Sequence, residues 1–206
     1  MAPAQVEQLL KGKKVLVLVH GFNVSDPDDA YATVALTIGH MYDYVVGVHW
    51  PGSRVPLFFR LAQRRADKAG QLLASALRHI DATFDIEGHS LGCHVTLEAL
   101  KYLTTVRNVI LAAPAVDNEV LQRGYEYEEC MDSVSSCLVA YSRFDSVLAK
   151  AYRLADWDNA LGLTGPEDAT LCAKTIIPFD CSAFVKAHSD YKKAEQFYAK
   201  WLSLLS

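Results

Sequence analysis

One stretch of the sequence decides the fold, namely Thr83-Phe84-Asp85-Ile86-Glu87-Gly88-His89-Ser90-Leu91-Gly92. Its first five residues are typical of a strand, and the residues from Leu91 to Leu103 have the pattern of a helix. Gly88 and Gly92 stand two residues before and after Ser90, so the chain is able to turn very tightly from strand to helix. Such a turn lifts the hydroxyl clear of the sheet and places the amide of Leu91 at a helix N-terminus, where it can bind an oxyanion. The stretch therefore predicts Ser90 as a nucleophile rather than a plain helix N-cap.

Short apolar strands alternate with helices on both sides of this turn. Strands are predicted over residues 14–20, 44–49, 83–87, 108–112, 137–141 and 174–177. Helices are predicted over residues 27–40, 58–80, 91–103, 117–123, 146–154 and 190–205, and a surface loop over 156–172. This alternation indicates an α/β fold with a mostly parallel sheet of about six strands and helices on both faces. We expect residues 1–206 to form one compact domain without a large cap domain.

Composition excludes several classes of protein. Half of the 206 residues are apolar and 21% are charged, which is typical of a globular chain. The net charge of −4 and the pI near 5.9 argue against nucleic acid as a partner, because phosphate binding needs a basic face. The sequence has no apolar run long enough for a membrane span and no signal-peptide pattern, so we expect a cytoplasmic protein.

The five cysteines fit neither an evenly paired disulfide framework nor a metal-ligand spacing. We expect them to be buried free thiols, and a bridge between Cys172 and Cys181 stays open as an alternative. The sequence calls for no metal and no organic cofactor.

A second feature follows the first predicted strand, in His20-Gly21-Phe22-Asn23. Ligands of such sheets bind beyond the carboxyl ends of the strands, so this loop should lie near Ser90. The backbone N–H of Phe22 is therefore the predicted second oxyanion donor. His20 precedes the nucleophile in a fold that places the base last, so we expect its ring to brace the loop.

The base is found by elimination among the histidines that follow Ser90. A serine nucleophile needs an imidazole to accept its proton, and a carboxylate must orient that imidazole. His94 lies one helical turn after Ser90 and is unable to face the hydroxyl properly. His188, which comes after the last strand, is therefore the predicted base.

The acid has two candidates, because Asp145 and Asp117 both follow the ends of predicted strands. We favour Asp145, although it also stands where it would cap the next helix. Other acids look like solvated loop residues, namely Asp156, Asp158 and Asp180. Further aromatic and polar residues are predicted to line an acyl pocket, namely Trp50, Trp157 and Asn23, although Trp157 fits the core equally well.

Six stretches together carry a resemblance to a known family, namely residues 17–24, 49–51, 88–92, 140–145, 161–166 and 188–191. The chain resembles a small α/β hydrolase and is similar to a lipase- and esterase-like bacterial branch that is catalogued as a domain of unknown function. It departs from that branch at Gly88, where many members have alanine. It also lacks the leading antiparallel strands and the cap insertion of larger hydrolases.

The resemblance implies a catalytic triad of Ser90, Asp145 and His188, with Phe22 and Leu91 as oxyanion amides. The triad implies acyl transfer on a small-molecule ester, and the missing cap favours short acyl chains. A thioesterase, an amidase or an acyltransferase would use the same residues. A non-catalytic binding module is the alternative from another class, but such proteins usually lack a triad member.

Overall fold

The computed structural model describes residues 3–22, 27–52, 59–155 and 159–205. The strands are β1 (Lys14–Val19), β2 (Tyr44–Val48), β3 (Thr83–His89), β4 (Val106–Ala112), β5 (Ser136–Tyr141) and β6 (Ile176–Asp180). The α-helices are α1 (Pro3–Leu10), α2 (Pro27–Ile38), α3 (Phe59–Leu77), α4 (Leu91–Leu100), α5 (Glu128–Met131), α6 (Ser146–Ala155), α7 (Leu161–Thr164) and α8 (Glu195–Leu202). Short 3-10 helices cover Gly39–Met41, Ala169–Leu171 and Asp190–Lys193.

The strands form one parallel sheet in the order β2-β1-β3-β4-β5-β6. This confirms the predicted α/β class and the sheet of about six strands. The inner strands are nearly continuous apolar runs, because helices cover both of their faces. In β1, for example, every residue after Lys14 is buried.

Alternate residues of β3 face the two helical layers, since successive strand side chains point to opposite sides. A Cβ on Gly88 would lie 2.8 Å from Cys93, which belongs to α4. Tyr31 of α2 packs against β2, since a Cβ on Gly47 would lie 2.6 Å from Cε2 of its ring, and α2 contacts α8. With β2 and β3 on opposite sides of β1, right-handed crossovers put α2 on the face of the sheet opposite to α3 and α4. The sheet therefore lies between a layer that contains α4 and a layer that contains α2 and α8.

The helix predicted over residues 117–123 is wrong, because this segment is a series of turns. Two antiparallel bridges hold it, one from Asp117 to Ala160 and one from Gln122 to Cys172. Backbone groups engaged with neighbouring segments are not free for helical hydrogen bonds. A short helix, α5, forms only after Gly124, which has a φ of +86°.

The surface loop predicted over residues 156–172 is also wrong in part. Three consecutive residues of α7, Leu161 to Leu163, are buried. The Gly162 N–H donates to the carbonyl of Pro114 at 2.8 Å, and its own carbonyl accepts the Ser142 N–H at 3.0 Å. This segment therefore packs against the chain that follows β4 and β5. Local sequence periodicity does not predict such a contact, because its partners are distant in sequence.

The last strand was expected to end before Pro178, but β6 runs through it to Asp180. Proline lacks the N–H that a central strand needs, whereas an edge strand tolerates it. Since β6 is the last strand of the sheet, Pro178 pairs in register with Val139 at an edge where one side of the strand is unpaired.

All five cysteines are free thiols, so the structure has no bridge between Cys172 and Cys181, and the expected burial holds for three of the five. Cys93, Cys137 and Cys181 are buried, while Cys130 and Cys172 are partly buried. Within the described residues, no helix has the length and apolar character that crossing a membrane requires.

A buried polar network closes the amino end of β3. The Asp85 carboxylate is fully buried and accepts hydrogen bonds from Arg107, from Asn108 and from the Tyr42 hydroxyl. Its bond to Arg107 Nη2 is 2.8 Å long. Removal of one partner of a buried ion pair leaves the other partner without compensation.

We expect Asp85→Ala to lower the free energy of unfolding by about 1–3 kcal/mol, because the buried Asn108 amide and Tyr42 hydroxyl lose their acceptor. The Arg107 side chain contributes less, since it is 33% exposed and can turn to water. Urea denaturation followed by circular dichroism measures this change. The exposed Asp132→Ala control should stay within about 0.5 kcal/mol of the wild-type protein. Equal effects of the two substitutions would contradict the assigned role of the network.

Candidate active site

Three side chains predicted as a triad lie beyond the carboxyl ends of the strands. Ser90 directly follows β3, Asp145 follows β5, and His188 follows β6. The loop at His20 follows β1, which is hydrogen-bonded to β3. Since all strands run in parallel, these segments meet at one edge of the sheet, where α/β proteins bind ligands.

Ser90 has a strained backbone. Its φ is 56° and its ψ is −123°, a conformation that residues with a Cβ rarely adopt. The turn is held by the Ser90 N–H, which donates to Ala112 at 2.9 Å, and by the Ser90 carbonyl, which accepts from Cys93 and Ala115. Strain of this kind is typical of functional sites, and the Ser90 side chain does not form a helix-capping bond.

The glycines beside Ser90 are explained by close contact. A Cβ at Gly92 would lie 2.3 Å from the carbonyl oxygen of Val19, and one at Gly88 would lie 2.8 Å from Cys93. These distances are too short for a side chain, so the tight turn needs glycine at position 92 and strongly favours it at 88. The collision with strand and helix that the sequence predicted is therefore present.

Asp145 and His188 are directly bonded. Asp145 Oδ2 lies 2.6 Å from His188 Nδ1, the carboxylate is fully buried, and the His188 side chain is 16% exposed. Because a carboxylate only accepts hydrogen bonds, Nδ1 carries the proton, and Nε2 keeps the lone pair that a base needs. Asp145 Oδ1 accepts the N–H groups of Val147 and Leu148. Asp145 therefore both caps α6 and orients His188.

The loop that carries His188 is fixed by two further residues that sequence reasoning missed. Asp190 Oδ2 accepts the backbone N–H groups of Lys186 at 3.1 Å and Ala187 at 2.7 Å. The buried Ser142 hydroxyl donates to the carbonyl of Val185 at 2.8 Å and so joins the Asp145 segment to the His188 loop. Neither bond has a local sequence signal, because each depends on how the ends of β5 and β6 meet.

Ser90 is connected to His188 through its neighbour His89. His89 Nε2 lies 3.0 Å from the His188 carbonyl, and the two ring centroids are 4.8 Å apart. Among the described residues, no direct hydrogen bond joins the Ser90 hydroxyl to the His188 ring. Hydrogen bonds between a catalytic nucleophile and its base are often long or poorly aligned before substrate binds, so this arrangement is compatible with a catalytic pair.

The two amides predicted for an oxyanion hole belong to the segments that directly follow β3 and β1. Leu91 is buried at the first position of α4, and Phe22 is partly buried after β1. In the described part of the chain, neither N–H donates to a backbone carbonyl. Gly21 brings the two segments together, since a Cβ on it would lie 2.8 Å from the Ser90 Cβ.

The His20 ring braces the loop that follows β1, as the sequence predicted. Its Nδ1 bonds to the Gly21 carbonyl at 2.8 Å, and its Nε2 accepts the Trp50 N–H at 3.4 Å. The two rings stack with centroids 5.6 Å apart. Both nitrogens are thus engaged, and burial lowers the pKa of His20.

The predicted pocket residues have different outcomes. Trp50 is 7% exposed, and its indole N–H donates to the His20 carbonyl at 2.8 Å. It lines an apolar cavity of about 580 Å³ between α3 and the β1–β2 edge, and neither Ser90 nor His188 lines that cavity. Asn23 and Trp157 lie outside the described residues. A role for Trp50 in substrate binding stays a prediction.

The competing residues lie elsewhere. His94 Nε2 bonds to Asp67 at 2.6 Å, and with Glu98 these side chains bring possible metal ligands within 4.8 Å of one another. Glu98 already accepts the Lys101 ammonium at 2.6 Å and the Tyr127 hydroxyl at 2.8 Å. The cluster is therefore neutralised in part by a lysine of the chain itself, and it lies between α3 and α4 rather than at the carboxyl end of the sheet.

Glu87 is a buried carboxyl group three residues before Ser90. It is 7% exposed, and burial raises its pKa to about 8. The folded protein therefore holds a proton here over a pH range in which the unfolded chain has lost it. Stability falls as the pH rises from about 4.5 to about 8, because ionisation is penalised only in the folded state.

We expect Glu87→Gln to remove this pH dependence, because glutamine has a similar size and is neutral at every pH. The stability gain of the variant should grow with pH, by about 1.4 kcal/mol for each unit by which the folded-state pKa is raised. Urea denaturation at about pH 5 and about pH 8 measures the difference. The exposed Glu167→Gln control should show no such growth, and equal gains at the two pH values would exclude the protonated carboxyl.

Comparison with solved structures agrees with the fold. A lipase-esterase related protein from Clostridium acetobutylicum has a TM-score of 0.54 at 12% identity, over 94% of each chain. The Pyrococcus furiosus esterase Pf2001 has a TM-score of 0.52 at 11% identity, over 93% of this chain and 78% of that one. The catalytic core domain of acetyl xylan esterase from Trichoderma reesei has a TM-score of 0.51 at 13% identity, over 95% and 98%. At these identities the likeness shows the fold.

Comparison of the sequence identifies the family. A search of curated proteins finds no match. The sequence profile of the family described as "Alpha/beta hydrolase of unknown function (DUF900)" matches residues 3–176, which include Ser90 and Asp145 and end before His188. Since this match covers most of the chain, the protein belongs to that family of α/β hydrolases.

Proposed function

We propose that this protein is a serine esterase that cleaves carboxylic esters through Ser90, His188 and Asp145. One observation carries the proposal: the 2.6 Å bond between Asp145 and His188 lies at the same edge of the sheet as the strained Ser90. A buried carboxylate, an imidazole with a free Nε2 and an activated serine are what acyl transfer requires. The esterase names of the structural neighbours agree with this reaction class.

In the proposed first step, Ser90 Oγ attacks the ester carbonyl carbon while its proton passes to His188 Nε2. Asp145 holds the tautomer of His188 and stabilises the imidazolium that forms. The C–O bond to the leaving alcohol then breaks, and the imidazolium returns the proton to the alkoxide. Water, activated by His188, hydrolyses the acyl-enzyme and releases the acid and the free serine.

In this proposal the backbone N–H groups of Leu91 and Phe22 donate hydrogen bonds to the carbonyl oxygen and stabilise the negative charge that develops on it. Support comes from their position beside Ser90 and from their lack of backbone acceptors in the described residues. One donor of this kind contributes on the order of 10² to 10³ in rate. The α4 N-terminus adds a favourable dipole at the same point.

Short acyl esters are the proposed substrate class. The segments that follow β4 and β5 pack against each other through contacts such as that of Gly162 with Pro114, and the residues that the structure describes hold no long insertion for a cap. We therefore expect the site to favour short acyl chains over long ones. The site residues support acyl transfer more strongly than they support the choice of an ester, because thioesters and amides would react with the same groups.

A fluorophosphonate probe followed by mass mapping tests the mechanism. We expect the label on Ser90 in the wild-type protein and its loss in His188→Ala. A panel of p-nitrophenyl esters then tests the substrate class, with butyrate expected to react faster than long-chain emulsions. A well-folded protein that takes no label would overturn the proposal in favour of a binding module.

A further inference from the structure

His89 lies where three parts of the candidate site meet. Its Nε2 is 3.0 Å from the His188 carbonyl, and its ring packs 4.8 Å from the His188 ring. On the other side, a Cβ on Gly21 would lie 3.4 Å from His89 Nδ1, so the oxyanion segment touches the same ring. The ring of Tyr191 lies edge-to-face with the His89 ring, with the two centroids 6.4 Å apart. No role has been assigned to His89 so far, although it stands inside the Gly-His-Ser-Leu-Gly motif.

The direction of the bond to His188 follows from the chemistry of its two ends. A backbone carbonyl only accepts hydrogen bonds, so His89 Nε2 carries the proton and donates it. Burial, together with the neighbouring His188, lowers the pKa of His89 to about 4. The ring therefore stays neutral at ordinary pH and does not compete with His188 for the proton of Ser90.

The bond from His89 adds to the other hydrogen bonds that fix the base loop, the segment of residues 185–190 that carries His188. Asp190 and Ser142 hold the backbone at residues 185–187, and Asp145 holds the His188 ring. His89 supplies the contact at the His188 carbonyl itself. It is also adjacent in sequence to Ser90, so it couples the position of the nucleophile to that of the base.

We propose that His89 is a positioning residue, whose N–H holds the His188 backbone so that the His188 ring stays aligned with Asp145 and Ser90. This inference rests on the proposed function for its catalytic meaning. The mechanism differs from packing, because it needs a donor at the Nε2 position. A misplacement of about 1 Å in a catalytic group costs on the order of 10²-fold in rate.

Two substitutions separate the donor from the ring. His89→Phe keeps an aromatic ring against His188 and Tyr191 but has no N–H, whereas His89→Gln loses the ring and places an amide N–H near the same carbonyl. We expect kcat for ester hydrolysis to fall about 10²-fold in His89→Phe with little change in KM. In His89→Gln, kcat should return to within about threefold of the wild-type value.

A second measurement does not depend on activity. The short bond of His188 Nδ1–H to Asp145 should give a downfield proton resonance in the wild-type protein, which NMR detects with or without substrate. We expect this resonance to persist in His89→Gln and to broaden by exchange with water in His89→Phe. Circular dichroism and thermal melting confirm that both variants are folded.

The outcomes are distinct. Loss of activity and of the resonance in His89→Phe, with recovery of both in His89→Gln, supports the positioning role. An unchanged resonance in His89→Phe, or equal loss in the two variants, overturns it. A wild-type protein that shows the resonance but neither hydrolyses esters nor takes the fluorophosphonate label refutes the proposed function, and the NMR comparison still decides the role of His89.

Discussion

Ser90→Ala is expected to lower kcat for ester hydrolysis on the order of 10⁶-fold and to abolish fluorophosphonate labelling. The reason is that acylation forms a bond at Ser90 Oγ and deacylation breaks it, so neither half of the proposed mechanism can proceed without this atom. The variant should still accelerate the reaction about 10³- to 10⁴-fold over the uncatalysed reaction in water, since the oxyanion amides and the substrate contacts are unchanged. Stopped-flow measurement with an activated ester, together with mass mapping of the probe, provides the test.

The control for this variant is Ser75→Ala, which removes an exposed hydroxyl on α3 that donates to the Gln71 carbonyl of the same helix. It should keep wild-type kcat. Ser90→Ala should also keep its melting temperature, because the Ser90 hydroxyl makes no capping bond. Activity that survives in Ser90→Ala would mean that another group is the nucleophile.

Asp145→Asn is expected to lower kcat about 10⁴-fold while the fold is retained. Asparagine keeps an oxygen for the N–H groups of Val147 and Leu148, so the cap of α6 survives. Its amide would face His188 Nδ1 and favour the tautomer with the proton on Nε2. That tautomer has no lone pair at Nε2 for the proton of Ser90.

Asp117→Asn is the matched control, because Asp117 is the other acid that the sequence offered. The structure places it in a bridge to Ala160, whereas Asp145 is bonded to His188. We expect near wild-type kcat for Asp117→Asn, measured with the same ester and the same probe. A large loss there, with an active Asp145→Asn, would reverse the assignment of the acid.

Local signals account for the parts of the structure that were predicted well. The strand that leads to Ser90 and the helix that follows are apolar runs with their own periods, and the glycines beside Ser90 announce the turn. Helix α2 begins at Pro27 with Asp28 and Asp29 in its first turn, as the preference for proline and acids at helix starts predicts. Such features depend on residues a few positions apart, so one sequence suffices to find them.

The secondary-structure predictions that were wrong depend instead on residues that are far apart in the sequence. The turns over residues 117–123 replace a helix because Asp117 and Gln122 pair with residues that lie 43 and 50 positions further on. The buried α7 looked like a loop because its neighbours, such as Pro114, are distant in sequence. Extension of β6 through Pro178 depends on its place at the sheet edge, which is a property of strand order.

The sequence by itself determined the α/β class and the tight turn at Ser90, and it predicted His188 as the base by elimination, because motif, spacing and chain order carry that information. Only the tertiary structure decided that Asp145, rather than Asp117, meets His188, and that one oxygen of Asp145 also caps α6. It alone revealed His89, Ser142 and Asp190 around the base loop. These contacts join the ends of different strands, so they exist only once parallel strands have brought those ends to one edge of the sheet.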